Sequence, residues 1–161
     1  DLHSFPTRRS SDLWSSRLAH DTGMPVLTWD ERAEFANGES IPWGRTLACP
    51  LEEVFSRGLV LHSSSYVVIV TRGHTLDADV VKLLEGRQCA YIGMIGSRRK
   101  IAFVRERLIQ DGLAADQIDR IYQPIGLPIR AETPEEIAVS ILAEIIAARR
   151  GADLDQLRSA L

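Results

Sequence analysis

Arg98, Arg99 and Lys100 follow Gly96 and Ser97 in the stretch Gly93-Met94-Ile95-Gly96-Ser97-Arg98-Arg99-Lys100, and Ser97 is placed to cap a helix beginning directly after it. Cations in a first turn oppose the helix macrodipole, each by about 0.3–1 kcal/mol. An anion held there by free backbone N–H groups and the Ser97 hydroxyl reverses the sign of that effect. The chemistry suggested is therefore the binding of phosphate or another anion. The alternative is a solvated basic helix start, tolerated through screening.

A second cluster, Thr71, Arg72, Gly73, His74 and Asp77, follows the most strand-like run of the chain. Gly73 permits a close backbone approach, His74 can donate or accept a hydrogen bond, and Asp77 lies within one turn of a helix start. The same residues also read as an N-capping cluster with one surface histidine. Asp30 ends the run Pro25-Val26-Leu27-Thr28-Trp29, with Glu31 beside it. A carboxylate there can accept hydrogen bonds from a ribose diol, or can simply cap a turn. The rigid segment Pro124-Ile125-Gly126-Leu127-Pro128-Ile129 either lines a pocket or packs a sheet edge.

The elements that position these residues alternate between helical and extended patterns. Extended runs are expected at Pro25–Trp29, Arg45–Ala48, Ser65–Thr71 and Cys89–Ile95, with a further extended piece at Ile121 and Tyr122. The run Ser65–Thr71 does not alternate, as a strand covered on both faces would not. Helices are expected ending near Thr22, starting at Pro50, from Leu76 to about Leu84, from Ser97 to Gly112, and as a turn at Asp116–Arg120. The final helix has Thr133 as cap, Pro134 at its first position and Glu136 as capping-box carboxylate. Its expected buried stripe is Ile137, Ile141, Leu142, Ile145 and Ile146. Strands followed by helices at this spacing predict a doubly wound, mainly parallel α/β sheet, in which ligands lie beyond the carboxyl ends of the strands. No glycine-rich GxGxxG turn precedes Asp30.

The 161 residues, 45% hydrophobic and 25% charged, fit a single globular domain and exclude a mainly disordered chain. The net charge of −3 gives no global attraction to nucleic acid or anionic lipid, and no apolar run is long enough to cross a bilayer. Cys49 and Cys89 have no metal-site spacing and suggest buried thiols in a reducing, cytoplasmic compartment. Nothing in the spacing of His, Cys, Asp and Glu predicts a metal site.

Taken together, Thr71-Arg72-Gly73-His74-Thr75-Leu76-Asp77, the stretch from Tyr91 to Lys100, Pro124–Ile129 and the segment Glu132–Gly151 resemble the C-terminal Rossmann domain of the XdhC/CoxI family, accessory factors of xanthine dehydrogenase and related molybdenum hydroxylases. The resemblance runs from about Gly23 to Gly151. It implies a maturation factor that chaperones the sulfurated molybdenum cofactor and docks onto a hydroxylase such as xanthine dehydrogenase and onto a cysteine desulfurase; a homodimer is compatible with it, though the sequence does not fix the oligomeric state. It also implies NAD(P) binding in the intact domain. Asp30, His74, Asp77, Gly93, Gly96, Ser97, Arg98, Arg99 and Lys100 match the family's motif positions; Thr71 and Gly73 complete the expected cofactor-binding set, with no catalytic residue assigned. An NAD(P)-dependent oxidoreductase and a non-catalytic Rossmann scaffold are the alternatives; turnover of NAD(P)H separates the first from a chaperone.

Two departures from the family pattern stand out. Arg130 occupies a position where the family usually has glycine, so its long side chain is expected to fill part of a pocket. Tyr122 and Gln123 stand near a frequent histidine or cysteine. His3–Leu13 also resembles one translated frame of a common sequencing adapter. The expected organisation is thus an adapter-derived segment over 1–13, a truncated Rossmann domain over 14–151 and a frayed polar tail over 152–161. Without the first strand and its glycine-rich loop, the sheet is expected to split between its second and fourth strands, leaving the chain poorly stable and an edge prone to aggregation.

Overall fold

The computed structural model describes residues 9–71 and 73–161. Residues 1–8 of the adapter-like segment and Arg72 lie outside the described residues. The chain divides into two compact units, one running to Val60 and including Glu132–Leu142, the other comprising Leu61–Ala131 and Ala143–Leu161.

In the first unit, helix α1 (Arg9–Asp21) crosses Trp14 without a break, so its first turns lie inside the adapter-like segment. Gly23, at φ 80°, closes it in the left-handed conformation that glycine adopts without strain. Strands β1 (Leu27–Asp30) and β2 (Arg45–Ala48) pair in parallel, Leu27 opposite Arg45 and Asp30 opposite Ala48. Their connection carries no helix. Asn37 organises it instead: its Nδ2 donates to the carbonyls of Ala33 and Glu34, and its Oδ1 accepts from the amides of Glu39 and Ser40. Trp29 Nε1 donates to the Cys49 carbonyl at 3.0 Å, fixing the end of β2 beside β1. The helix expected from Pro50 is a single 3-10 turn over Leu51–Glu53.

The second unit is built on β3 (Tyr66–Ile69) and β4 (Tyr91–Met94), parallel neighbours with Tyr66 opposite Tyr91 and Ile69 opposite Met94. Helix α2 (His74–Leu83) is the crossover between them, as parallel pairing requires. Helices α3 (Arg98–Gln110) and α4 (Ala115–Asp119) follow. Tyr122 then makes a parallel bridge with Gly93, its amide donating to Ile92 and its carbonyl accepting from Met94. Ile69, Ala78, Val81, Met94, Val104, Leu108 and Ile118 form the core between strands and helices. Each large apolar side chain among them contributes about 1.5–3 kcal/mol on full burial.

Among the described residues β1 and β2 form a two-stranded sheet in the first unit, and β3 and β4 one in the second. Of β3, Ile69 is fully buried and Tyr66, Val67 and Val68 are partly buried, so the expected cover on both faces is incomplete along this strand.

Helix α5 (Pro134–Arg149) begins with the expected capping box. The Glu136 carboxylate accepts from the amides of Glu132 and Thr133, and Thr133 Oγ1 accepts from the amide of Glu136. Those backbone donors hold the Glu136 carboxyl below its ordinary value. Its stripe differs from expectation at Ile146, which is exposed. Residues beyond Gly151 are no frayed tail: Asp153 caps helix α6 (Leu154–Ala160) by accepting from the Gln156 amide at 3.0 Å, and Leu154 is buried.

Arg130 is exposed and fills no pocket. Its φ of 61° is the left-handed region in which a side chain is strained. Arg130→Gly is therefore expected to stabilise the chain by about 1 kcal/mol, the strain relieved outweighing the flexibility added to the unfolded chain. A urea midpoint that falls instead would show that the Arg130 side chain contributes more than its backbone costs.

Candidate functional site

The second unit brings two of the candidate loops together at the carboxyl ends of β3 and β4. After β3, Thr71 Oγ1 donates to one oxygen of Asp77 and lies 3.3 Å from the Gly73 carbonyl. Gly73 caps α2 without a side chain, and its carbonyl accepts from the Asp77 amide. The helix begins at His74, two residues earlier than expected. His74 itself is exposed, with its ring 5.2 Å from that of Phe103 on α3.

After β4, Ser97 caps α3 as expected, its hydroxyl accepting from the Lys100 amide at 3.3 Å. The three cations then part ways. Arg98 and Arg99 are exposed, whereas Lys100 is 1% exposed and ion-paired with the fully buried Asp77. Its Nζ also reaches the Thr71 carbonyl at 3.4 Å. Lys100 is four residues before Val104 and eight before Leu108, and so shares their buried stripe. Its positive charge is committed to Asp77, so of the three cations expected to meet an anion only Arg98 and Arg99 face outward. A Cβ at Gly96 would come within 3.0 Å of Lys100 Cδ, so the absence of a side chain there lets the lysine pass.

Gly93 has a different surrounding. A Cβ there would stand 2.5 Å from Ile125 Cδ1 and from the Tyr91 hydroxyl, so packing within the unit accounts for the glycine. Asp30 belongs to the first unit. Arg32 holds its carboxylate through Nε at 2.9 Å and Nη2 at 2.9 Å, while the Arg32 guanidinium lies 4.0 Å over Phe35. Asp30 is thus engaged by Arg32 in a partly exposed pair within its own loop.

Three residues absent from the sequence-based set, Tyr91, Glu144 and Arg158, meet around a second buried carboxylate in the second unit. Glu144, fully buried on α5, accepts from the Tyr91 hydroxyl at 2.6 Å and the Gly126 amide at 3.1 Å, and pairs with Arg158 of α6. Arg158 also donates to the carbonyls of Pro124 and Gly126 at 2.9 and 3.3 Å. The Tyr91 and Tyr122 rings stack at 5.1 Å. This network fixes Pro124–Gly126, so that loop is held by polar bonds as well as by buried Ile125. The Asp153-x-x-Gln156 capping signature marks α6 in the sequence; no local signal pairs Tyr91 with Glu144.

Burial first, and then the hydrogen bond and charge of Glu144, push the Tyr91 phenol far above its ordinary value of 10.0. A phenol that keeps its proton better when folded gives stability that is full below pH 10 and falls as pH rises above the unfolded value. Above about pH 10, tyrosinate absorbance from Tyr91 is expected to appear together with loss of helical circular dichroism. Tyr91 ionising while the helices stay intact would contradict this.

Among the described residues no group of His, Cys, Asp and Glu is arranged to hold a metal ion, and no helix is long and apolar enough to cross a membrane. Cys49 is buried; Cys89 is partly buried, and burial pushes its thiol up, away from thiolate chemistry.

Parallel strand pairing, with the helical crossover β3–α2–β4 and charged loops at the carboxyl ends of β3 and β4, marks a Rossmann-like α/β domain. The chain belongs to the XdhC family, its residues 14–145 matching the XdhC Rossmann domain. It is 34% identical over 133 residues to the uncharacterized protein YqeB of Escherichia coli (strain K12), covering 81% of this chain and 24% of that protein. To a probable xanthine dehydrogenase subunit of Bacillus subtilis (strain 168) it is 30% identical over 135 residues, 84% of this chain and 39% of the relative. A crystal structure described as a xanthine dehydrogenase from Bacillus halodurans superposes with a TM-score of 0.73 at 26% identity, over 89% of this chain and 41% of that one. The chain thus spans well under half the length of these relatives.

Proposed function

We propose that this domain serves an accessory protein which supplies the molybdenum cofactor to a xanthine dehydrogenase-type hydroxylase, and that the start of α3 holds the phosphate of that cargo. The observation that carries the binding reading is the exposure of Arg98 and Arg99 in a first turn that has no acidic residue. Among the described residues neither makes an ion pair. The names of the Bacillus relatives support a hydroxylase as the partner. Docking to a cysteine desulfurase, self-association and a cytoplasmic setting belong to the same proposal. Ser97 orients the turn, Arg98 and Arg99 supply charge, and Lys100 with Asp77 and Thr71 holds the two loops in place.

The test is a phosphate titration of the chain and of its Arg98→Ala/Arg99→Ala variant. Loss of two charge-assisted contacts is expected to weaken binding about tenfold or more, by about 1.4 kcal/mol at least, and to flatten its salt dependence. Equal affinity with the fold intact would remove the anion site. Capture of a hydroxylase by the wild-type chain, without turnover of NAD(P)H, is the expected outcome for a chaperone; turnover would favour an oxidoreductase.

A further inference from the structure

Helix α6 has seven residues, too few to be stable alone in water, so it persists because it is docked. Two side chains account for the docking. Leu154 is 5% exposed, and Arg158, one helical turn further on, reaches Glu144 and the carbonyls of Pro124 and Gly126. The same Glu144 oxygen that accepts from Tyr91 accepts from the Gly126 amide, so the loop is gripped by both its N–H and its C=O groups.

We propose that α6 is a strap whose docking and undocking set the order of the Pro124–Gly126 loop. The physical link is the buried Glu144 carboxylate. When α6 unwinds, Arg158 leaves and the carboxylate keeps only two neutral donors, a phenol and an amide, in a site where an uncompensated charge is costly. Glu144 must then turn toward water, and the Gly126 amide loses its acceptor. The loop therefore opens with the helix, and the Tyr91–Tyr122 ring stack, which has the Arg158 guanidinium 5.9 Å over Tyr122, loses its cover. This element acts on the loop that follows Tyr122, beside the carboxyl end of β4, and it stands whether or not α3 binds phosphate.

Residue-resolved hydrogen exchange on the chain and on its Leu154→Ala variant tests the strap. The substitution removes the apolar anchor of α6 and leaves Glu144, Arg158 and the loop untouched. In the wild-type chain the amides of Gly126 and Leu157 are expected to exchange through one shared opening of lower free energy than that of the core amides of Ile69 and Val104, and in the variant to accelerate together, tenfold or more. Acceleration confined to α6 would overturn the proposal, since the loop would then hold without the helix. An opening free energy at Gly126 and Leu157 equal to that at Ile69 and Val104 in the wild-type chain would overturn it too, because helix and loop would then open only with the whole unit. Arg158→Lys provides a second reading: it keeps the charge but cannot span Glu144 and two carbonyls with a planar fork. It is expected to accelerate Gly126 with α6 still protected, and an unchanged Gly126 rate would show that the fork does not grip the loop.

Discussion

Arg158→Ala is expected to destabilise the second unit by about 3–5 kcal/mol, toward the lower end because two donors to Glu144 remain. Glu144 is fully buried and Arg158 is its one cationic partner among the described residues. Truncation leaves a carboxylate without a counter-charge in a low-dielectric site, and it frees the carbonyls of Pro124 and Gly126 as well. Against a total domain stability of about 5–15 kcal/mol, such a loss is visible as a lowered urea midpoint. Replacing both partners by apolar groups of similar shape, Glu144→Met with Arg158→Met, should cost much less than the sum of the single changes. If Arg158→Ala costs under about 1 kcal/mol, solvent reaching the partly exposed guanidinium has already screened the pair.

The other large effect lies at Lys100. Both charges of the Lys100–Asp77 pair are shielded from solvent, at 1% and 0% exposure. Lys100→Met keeps most of the length of the side chain and its packing beside Val104 and Leu108 but strands the Asp77 carboxylate, whose other partner is the Thr71 hydroxyl. A loss of about 3–5 kcal/mol is expected. Asp77→Leu should cost a similar amount, and the double variant should recover most of it, because no unpaired charge then remains. The measurement is a double-mutant cycle in urea. A double variant as unstable as the sum of the singles would mean that the hydrogen bonds to Thr71, and not the paired charges, hold these loops.

The two arginine neighbours carry no such penalty, and this difference shows where sequence reading stops. Gly96-Ser97-Arg98-Arg99-Lys100 announces a capped basic helix start, because a cap depends on residues within a few positions of one another. Which of the three cations turns inward depends on the α3 stripe that Val104 and Leu108 define, and on Asp77 being brought from α2 to meet it. The i, i+4, i+8 spacing of Lys100, Val104 and Leu108 was available in the sequence; the identity of the lysine's partner was not. Arg130 gives the converse case. A long side chain reads as a pocket filler, but its φ of 61° and its exposure make it a backbone oddity at the surface.

The sequence by itself determined the strands and most of the helices as far as α5, the parallel α/β class, the capping box of α5, the Ser97 cap and the family. All of these rest on local hydrogen-bond chemistry, on the periodicity of apolar residues or on contiguous motifs. Only the tertiary structure decided that Lys100 is buried against Asp77, that Gly93 makes room for Ile125 and Tyr91, and that Glu144 joins Tyr91, Gly126 and Arg158. Those contacts join residues up to 53 positions apart in the chain. A buried charge leaves no local mark of the partner that makes it tolerable, since that partner is chosen by which elements pack together and not by spacing along the chain.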